Sequence, residues 1–299
     1  MSGATTATRA PSWPARLLAA LRPRRIPLVP ALPIAVLTLV FGAGLAAPIL
    51  TPYDPVRNDL INSLLPPFWV EGGSMEHVLG TDGFGRDVLT RLLYGARVSV
   101  AVAGLSLMIA VGLGTTTGVV AGYVGGSVDS ILMRLVDVLL ALPTILVAMV
   151  VAVAVGPSFQ NLVIVLGVLN SPRLARIIRG ETMLLKKHEF MRYASAIGVP
   201  SSVIVMKHVL PNILPTLMVV TTLEVGAVIL AEASLSFLGA GLPPPTASWG
   251  VMIADGRALI ATGWWIALFP GLAITITVLG TNGLGDWLRD YLDPKTRKM

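Results

Sequence analysis

The chain has 299 residues, of which 54% are apolar and only 13% are charged, whereas soluble domains carry about 25% charged residues. A soluble fold could not bury this much apolar surface without large exposed patches, so the composition argues against a soluble enzyme and excludes a disordered chain. The sequence contains no cysteine, which excludes a disulfide framework, an iron–sulfur cluster and a zinc ribbon.

Six apolar stretches are long enough to cross a bilayer as α-helices, the structure that satisfies the backbone of such runs in lipid. We place them near residues 29–50, 98–122, 131–155, 159–180, 209–238 and 263–286. The last turns of the fourth stretch carry arginines and are expected to protrude from the bilayer. The sequence therefore predicts an all-α membrane protein with six transmembrane helices.

Basic residues are distributed unevenly between the two sides that six spans create. With the N-terminus in the cytoplasm, 17 lysines and arginines fall on the inner side and five on the outer side. Cytoplasmic loops carry an excess of these residues, so the bias predicts that both termini are cytoplasmic. The net charge of +6 is therefore interpreted as a membrane signal, with the lipid bilayer as a partner and no nucleic acid.

The division of the chain follows from these spans. Residues 1–25 have a composition like that of a signal peptide, but the apolar run after them is too long for one. We expect a disordered cytoplasmic tail at 1–25, with the first transmembrane helix and an extracytoplasmic loop at 26–97. A core with five transmembrane helices follows at 98–288, and a cytoplasmic tail at 289–299.

The cytoplasmic loop at residues 189–211 carries the most informative pattern. A short helix can begin at the acidic Glu189 and stop at Gly198, since an acid suits a helix start and glycine a left-handed stop. Its apolar face comprises Phe190, Tyr193, Ala194 and Ile197. An exposed apolar face is typical of an interaction site, and a helix lying on the bilayer surface is the alternative.

The spacing of Glu189, Ala194 and Gly198, followed by Leu210-Pro211, resembles the coupling loop of bacterial ABC-importer permeases. Further pieces, in order along the chain, resemble the permease of the dipeptide/oligopeptide/nickel importer family: Leu79-Gly80-Thr81-Asp82, Gly85-Arg86-Asp87, Tyr94-Gly95-Ala96-Arg97, Arg134-Leu135-Val136-Asp137, the stretch from Leu230 to Gly239, Ser248-Trp249-Gly250 and Gly285-Asp286. The loop departs from the family pattern at Arg192 and Tyr193, which puts any contact of the family's second acid in doubt.

The resemblance implies a type I ABC importer permease in the bacterial inner membrane. It implies four kinds of partner: a second homologous permease, two ATP-binding cassette ATPase subunits, an extracytoplasmic solute-binding protein and the bilayer. The short helix would then dock in a groove of an ATPase subunit, with His208, Leu210 and Pro211 forming the exit of the coupling loop. ATP and magnesium would be bound by the ATPase subunits.

The sequence lacks the glycine-rich phosphate loop of nucleotide-binding proteins, and its three histidines are scattered, with no metal-ligand spacing. We therefore expect no cofactor, no metal and no catalytic residue in this chain. Uphill transport would need energy from a partner or from an ion gradient, and a secondary transporter driven by such a gradient is the less favoured alternative.

Ionisable residues within the spans are costly in lipid, so each is expected to be paired or functional. Arg134 and Asp137 share a helix face and could neutralise each other. Glu224 lies about 22 Å into the fifth span, with Thr221 and Glu232 on a similar face. We interpret this face as the lining of the translocation pathway, with a hydrogen bond to the second permease as the alternative. Peptides are the expected cargo, and nickel or another small solute remains open.

Overall fold

The computed structural model describes residues 30–292, so the predicted tail at 1–25 and the end of the tail predicted at 289–299 lie outside the described residues. Within this range the regular secondary structure is helical, apart from an isolated bridge between Thr81 and Asp87, which confirms the all-α prediction. The helices are α1 (Ala31–Leu45), α2 (Ala47–Leu50), α3 (Val88–Val124), α4 (Gly126–Ala141), α5 (Thr144–Val155), α6 (Phe159–Lys186), α7 (Glu189–Ala196), α8 (Ser201–Phe237), α9 (Trp249–Arg257) and α10 (Trp265–Leu292), with a 3-10 turn at Leu60–Asn62.

Four of these helices, α3, α6, α8 and α10, are long and apolar enough to cross a membrane alone. The bent pair of α4 and α5 makes a fifth span if its two halves are counted together, whereas α1 is apolar but has only 15 residues. A helix of that length extends about 23 Å, less than the roughly 30 Å of a hydrocarbon core. The structure therefore supports a multi-pass helical membrane protein with four to five candidate spans in the described range, and the sixth stays a prediction.

The second predicted span begins earlier than its charge-free run suggested. α3 starts at Val88 instead of near residue 98, because the Asp87 carboxylate caps the helix by accepting a hydrogen bond from the Thr90 N–H at 2.7 Å. Arg91 lies inside the helix and is buried. The predicted boundary between residues 97 and 98 consequently falls within a helix. At the other end of the chain, α10 continues to Leu292, beyond the predicted end of the sixth span.

The third predicted span, at 131–155, is not one straight helix. α4 ends at Ala141, α5 begins at Thr144, and the two axes differ by 90°. Pro143 has no N–H to donate and disfavours a helical conformation at the residue before it, and Leu142 is accordingly extended with ψ 139°. The sequence predicted one helix near 131–155, whereas the structure divides this segment into two helices, although the Leu142-Pro143 pair was visible in the sequence.

The most extensive helix contact joins α3 to α6, and three glycines spaced four residues apart make it possible. A Cβ added to Gly118 would lie 2.6 Å from the Ala175 carbonyl oxygen, and one added to Gly122 would lie 2.8 Å from the Arg179 carbonyl oxygen. Gly114 meets α6 in the same way. Helices approach closely through small residues in membranes, where burial of apolar surface gives little driving force.

Aromatic side chains lie near both ends of α10, as expected of the aromatic belts at membrane surfaces. Trp69 and Trp264 contact Phe269 near the beginning of the helix, with ring centroids 6.1 and 6.3 Å apart, and Trp287 stacks on Tyr291 near its end. Trp265 and Trp287 are separated by about 33 Å along the helix axis. That distance is close to the thickness of a hydrocarbon core, which supports α10 as a full span.

Candidate functional site

The short helix α7 is fixed to the bundle through one inward side chain. Met191 is only 3% exposed. It packs in a cluster with Ile178 of α6, Ile204 of α8 and Val119 of α3. The predicted helix is therefore present and is held against three long helices. Met191 was not predicted from the sequence, although it lies three residues before Ala194 and therefore on a similar side of the helix.

The outer side of α7 carries apolar residues as predicted, with one correction. Beside them lie the exposed polar residues Glu189, Arg192 and Ser195. Phe190, Tyr193 and Ile197 are 46%, 67% and 79% exposed. Ala194 was predicted on the same face, but it is half-buried and packs beside the cluster that holds Met191. Because the helix lies flat on the bundle, the inward side takes Ala194, and the exposed apolar surface consists of Phe190, Tyr193 and Ile197.

Two histidines flank the first aromatic residue of this surface. The Phe190 ring stacks on His188, with ring centroids 5.9 Å apart, and meets His208 edge-on at 5.8 Å. His208 belongs to the beginning of α8, so this contact ties the exposed face of α7 to the helix that re-enters the bundle. The predicted placement of His208 at the exit of the loop agrees with the structure.

Gly198 ends the short helix in the predicted left-handed conformation, with φ +82°. Its N–H donates to the Ser195 carbonyl, and the Val199 N–H donates to the Ala194 carbonyl, each at 3.1 Å. A Cβ added at Gly198 would meet nothing within 4 Å. Glycine is therefore required here by the backbone conformation and not by a lack of space.

The Leu210-Pro211 exit lies within α8 instead of starting a separate helix. Residues Val205–Val209 form a π-helical turn immediately before it. Pro211 cannot donate to the carbonyl four residues earlier and its ring crowds that carbonyl, and a wider turn relieves both problems. Leu210 packs against the Met191 cluster. The elbow therefore consists of α7, the Gly198 stop and this π turn.

Glu224, a predicted pathway residue, is paired with an arginine of another helix. The Arg173 Nη1 of α6 lies 2.9 Å from the Glu224 Oε1 of α8, and the two side chains are 67% and 5% exposed respectively. Arg173 was predicted to protrude from the bilayer, yet it lies halfway along α6. Arg173 lies about 21 Å from the beginning of α6, and Glu224 lies about 20 Å from the end of α8. These two ends are neighbours if the helices are antiparallel, so the similar depths could have predicted the pair.

Thr221 faces a different part of the bundle from Glu224. It lines an apolar cavity of about 600 Å³ between α1, α3, α8 and α10, together with Leu107, Met218 and Thr281. The Thr221 hydroxyl is buried and has no hydrogen-bond partner within the described residues. The structure thus does not bring the Thr221 and Glu224 side chains to one polar surface.

Glu232 does not lie on an open face. It is completely buried, and its Oε1 accepts hydrogen bonds from the hydroxyls of Ser236 at 2.9 Å and Ser248 at 2.8 Å. Gly250 permits this approach, because a Cβ there would lie 2.7 Å from the Ala233 Cα. We therefore correct the prediction that Glu232 lines the pathway, and assign it to the attachment of the segment before α9.

The predicted ion pair between Arg134 and Asp137 is not formed. Asp137 pairs with Arg176 of α6, and Asp129 pairs with Arg179 of α6, where Nη2 lies 2.6 Å from Oδ2. Arg134 has no ion-pair partner within the described residues. Pairing across helices is favoured here because the acidic side of α4 packs along the arginines of α6. Two interhelical ion pairs therefore join α4 to α6.

A charged cluster outside the apolar part of the bundle ties the first long loop to α9. The Arg86 Nη2 and the Arg91 Nη2 each lie 3.1 Å from the Asp255 Oδ2, and the Arg86 Nε lies 2.7 Å from the Asp82 Oδ2. Burial raises the pKa of Asp255, and the two guanidinium groups oppose that rise. Asp82 and Arg86 belong to family-like pieces of the sequence, whereas Arg91 and Asp255 do not. The meeting of the two arginines with Asp255 across more than 160 positions was not predicted.

Comparison with known proteins identifies the family. Residues 114–298 match the family described as the binding-protein-dependent transport system inner membrane component. The chain belongs to this family. It is similar to the dipeptide transport system permease protein DppC of Bacillus subtilis, with 41% identity over 88% of this chain and 81% of that protein.

Two further relatives agree with that assignment. The DppC protein of Alkalihalophilus pseudofirmus is 40% identical over 88% of this chain and 84% of its own length. The di/tripeptide transport system permease protein DppC of Pseudomonas aeruginosa is 38% identical over 87% of this chain and 86% of its own length. The resemblance seen in the sequence motifs is therefore confirmed, and the family is that of a membrane transport component and not a catalytic subunit.

Proposed function

We propose that this chain is the transmembrane permease subunit of an ATP-driven importer of di- or oligopeptides in the bacterial inner membrane. Relatives at about 40% identity that carry the name of dipeptide permeases support the cargo. The observation that carries the coupling role is the exposed apolar surface of Phe190, Tyr193 and Ile197 on a helix that Met191 anchors. We further propose six spans, the type I importer architecture and cytoplasmic termini.

The exposed surface of α7 would dock in a groove of a cytoplasmic ATPase subunit. Because α7 packs on α3, α6 and α8 through the Met191 cluster, a push on α7 would be transmitted to three long helices. The cycle would then run on ATP and magnesium bound by two ATPase subunits, with this chain acting as the moving part. Closure of the ATPases would bring the two permeases' short helices together and reorient the pathway.

The translocation pathway would run between this chain and a second homologous permease, with cargo delivered by an extracytoplasmic solute-binding protein. The pair of Arg173 and Glu224 supports a location on the α6 and α8 side, because an arginine 67% exposed halfway along a span needs water or a polar partner. Thr221 would contribute to the neighbouring apolar cavity and not to this charged face.

A single substitution on the docking surface tests the coupling role. Ile197 is 79% exposed on this surface. The Ile197→Asp substitution would place a carboxylate in the apolar groove of the ATPase subunit, and burying an unpaired charge costs several kcal/mol. We expect the purified transporter to lose its ATPase subunits and its ATP-driven uptake of a labelled dipeptide. The measurement is co-purification of the ATPase subunits through an affinity tag on this chain.

The matched control is Ile260→Asp, at a position that is 66% exposed between α9 and α10, on the side assigned to the exterior. This variant should retain its ATPase subunits. If Ile197→Asp retained full ATPase content and full uptake, the surface of α7 would not be the docking site. If the unmodified chain, assembled with all its partners, transported no peptide, the proposed cargo would be wrong.

A further inference from the structure

We propose that Arg173 and Glu224 form a bipolar binding site in the translocation pathway for a dipeptide with free termini. Arg173 would bind the α-carboxylate, and Glu224 would bind the α-ammonium group. This inference rests on the proposed function, since it assigns residues to the passage of the cargo through this chain. The inference rests on the geometry of one ion pair, in which the Glu224 side chain is buried and the Arg173 side chain is exposed.

The pair is open on the side of the arginine. Glu224 is 5% exposed, whereas the Arg173 side chain is 67% exposed, although their charged atoms lie only 2.9 Å apart. A guanidinium has five N–H donors, and within residues 30–292 Arg173 forms one ion pair, with Glu224. Most of its donors therefore face outward and are available to a ligand.

The depth of the pair excludes lipid as its neighbour. Arg173 lies about 21 Å from the beginning of α6 and about 20 Å from its end. An arginine at the centre of a span faces a protein interior or a water-filled cavity, not lipid. Arg176 and Arg179 differ from Arg173 in two respects. Each pairs with an acid of α4, and each lies closer to the end of α6 that leads into α7. Arg173 is thus the arginine of α6 whose acid lies on α8, the helix that follows the elbow.

The chemistry of the pair matches a zwitterion. An arginine can bind a carboxylate through two parallel hydrogen bonds, which gives both strength and orientation. A peptide with two free ends supplies a counter-charge to Arg173 and another to Glu224. Every charge then has a partner throughout binding, which avoids the large cost of leaving a desolvated charge unpaired. A peptide that is blocked at either end would satisfy only one of the two residues.

The elbow gives this site a route to the ATPase. Glu224 is on the same continuous helix as the π turn at Val205–Val209. A second polar contact between α6 and α8, from the Thr216 hydroxyl to the Glu181 Oε1 at 3.1 Å, lies between the elbow and the pair. A displacement of α8 relative to α6 would therefore change the distance between Arg173 and Glu224, and with it the affinity for the ligand.

Uptake of end-blocked peptides by the complete transporter tests the proposal. The chain is reconstituted in proteoliposomes with its partner permease, ATPase subunits and binding protein, and uptake is measured for dialanine and for its C-terminal amide. We expect Arg173→Gln to reduce the ratio of dialanine uptake to amide uptake by about tenfold, the size of a lost charged hydrogen bond. The preference of the binding protein cancels, because the same protein is used throughout.

Two matched variants provide the controls. Arg176→Gln removes the same charge one helical step away and should leave the ratio within about twofold of the unmodified chain, since exposed ion pairs contribute little. Glu224→Gln should instead reduce the ratio of dialanine to N-acetyl-dialanine. An unchanged dialanine-to-amide ratio in Arg173→Gln, with uptake still measurable, overturns the proposal. Loss of dialanine transport by the unmodified complex would refute the proposed function instead.

A labelling measurement keeps the proposal testable if Arg173→Gln fails to assemble. The sequence has no cysteine, so Asn170→Cys, about one helical turn before Arg173, introduces a single thiol into this chain and keeps the arginine. We expect a water-soluble thiol reagent to label it in at least one nucleotide state, and dialanine to slow that labelling more than its amide does. If no nucleotide state allowed labelling, this side of α6 would be sealed against the second permease, and the binding site would be refuted.

Discussion

Gly198 shows how one residue can shape the elbow through its backbone conformation alone. Its φ of +82° is a conformation that costs most residues roughly 1–2 kcal/mol and β-branched residues more. Open space surrounds the position, so any effect of substitution comes from the backbone. The sequence predicted this stop correctly because a left-handed helix end has a recognisable local pattern.

Two substitutions at Gly198 separate conformation from side-chain volume. Gly198→Val should reduce ATP-driven uptake strongly while ATP hydrolysis continues, because α7 would no longer be held at its present angle. Gly198→Asn should retain most of the uptake, since asparagine tolerates the left-handed region. Paired measurements of uptake and hydrolysis in proteoliposomes check both. Equal uptake in the two variants would show that the conformation of Gly198 does not matter for coupling.

Glu232 illustrates a residue whose role the sequence did not reveal. From its position in a span, the expected role was in the pathway, whereas it holds Ser236 and Ser248 in a fully buried site. The pairing depends on the segment before α9 folding back onto α8, a contact between separate elements that no local pattern encodes. The same limitation explains why Asp137 was paired with the wrong arginine.

Removal of the Glu232 carboxylate should destabilise the transporter without changing its selectivity. In Glu232→Ala two buried hydroxyls lose their acceptor, at a cost of about 1–3 kcal/mol for each group left unsatisfied. Ser234→Ala is the control, because that hydroxyl bonds only to the Leu230 carbonyl on its own helix. Thermal unfolding of the purified complex should shift down clearly for Glu232→Ala and little for Ser234→Ala. The opposite order would refute the structural role of Glu232.

At the scale of helices, composition predicted which segments are helical better than it predicted where they begin. Charge-free runs located the apolar parts of α3, α6, α8 and α10. The early start of α3 was missed because the charge-free run stops at Arg97, which lies inside the helix with its guanidinium 5.9 Å from the Tyr94 ring centroid. Arg91, earlier in the same helix, is paired with Asp82 and Asp255, and such pairing removes the cost that a charge-free criterion assumes. The bend at Pro143, in contrast, was readable from the sequence.

The glycine seam between α3 and α6 makes a prediction at this scale. Gly118→Ala would place a Cβ 2.6 Å from the Ala175 carbonyl oxygen, so the two helices would have to separate, and we expect a loss of about 1–3 kcal/mol. Gly112→Ala lies on the same helix with nothing within 4 Å of the added Cβ and should be neutral or slightly stabilising. Thermal unfolding of the complex in detergent measures both. Equal losses at the two positions would contradict tight packing at the seam.

At the scale of the whole molecule, the two ends of the bundle differ in kind. One end holds the aromatic residues around Trp265 and the charged cluster around Asp255, and the other holds the elbow formed by α7, Gly198 and the π turn. The distribution of lysines and arginines predicts that the elbow lies in the cytoplasm. The family and the shape of the elbow were predictable from the sequence, because short motifs carry both. The partner of Glu224 and the inward turn of Ala194 depend on packing between helices.

The central claim is that the elbow lies in the cytoplasm and is covered by a separate ATPase. Labelling of Tyr193→Cys with a membrane-impermeant thiol reagent tests it directly, because the sequence contains no other cysteine and Tyr193 is 67% exposed. The thiol should react only in inside-out vesicles, and only after the ATPase subunits are stripped away. Reaction in intact right-side-out cells, or equal reaction with the ATPase subunits bound, would contradict the account.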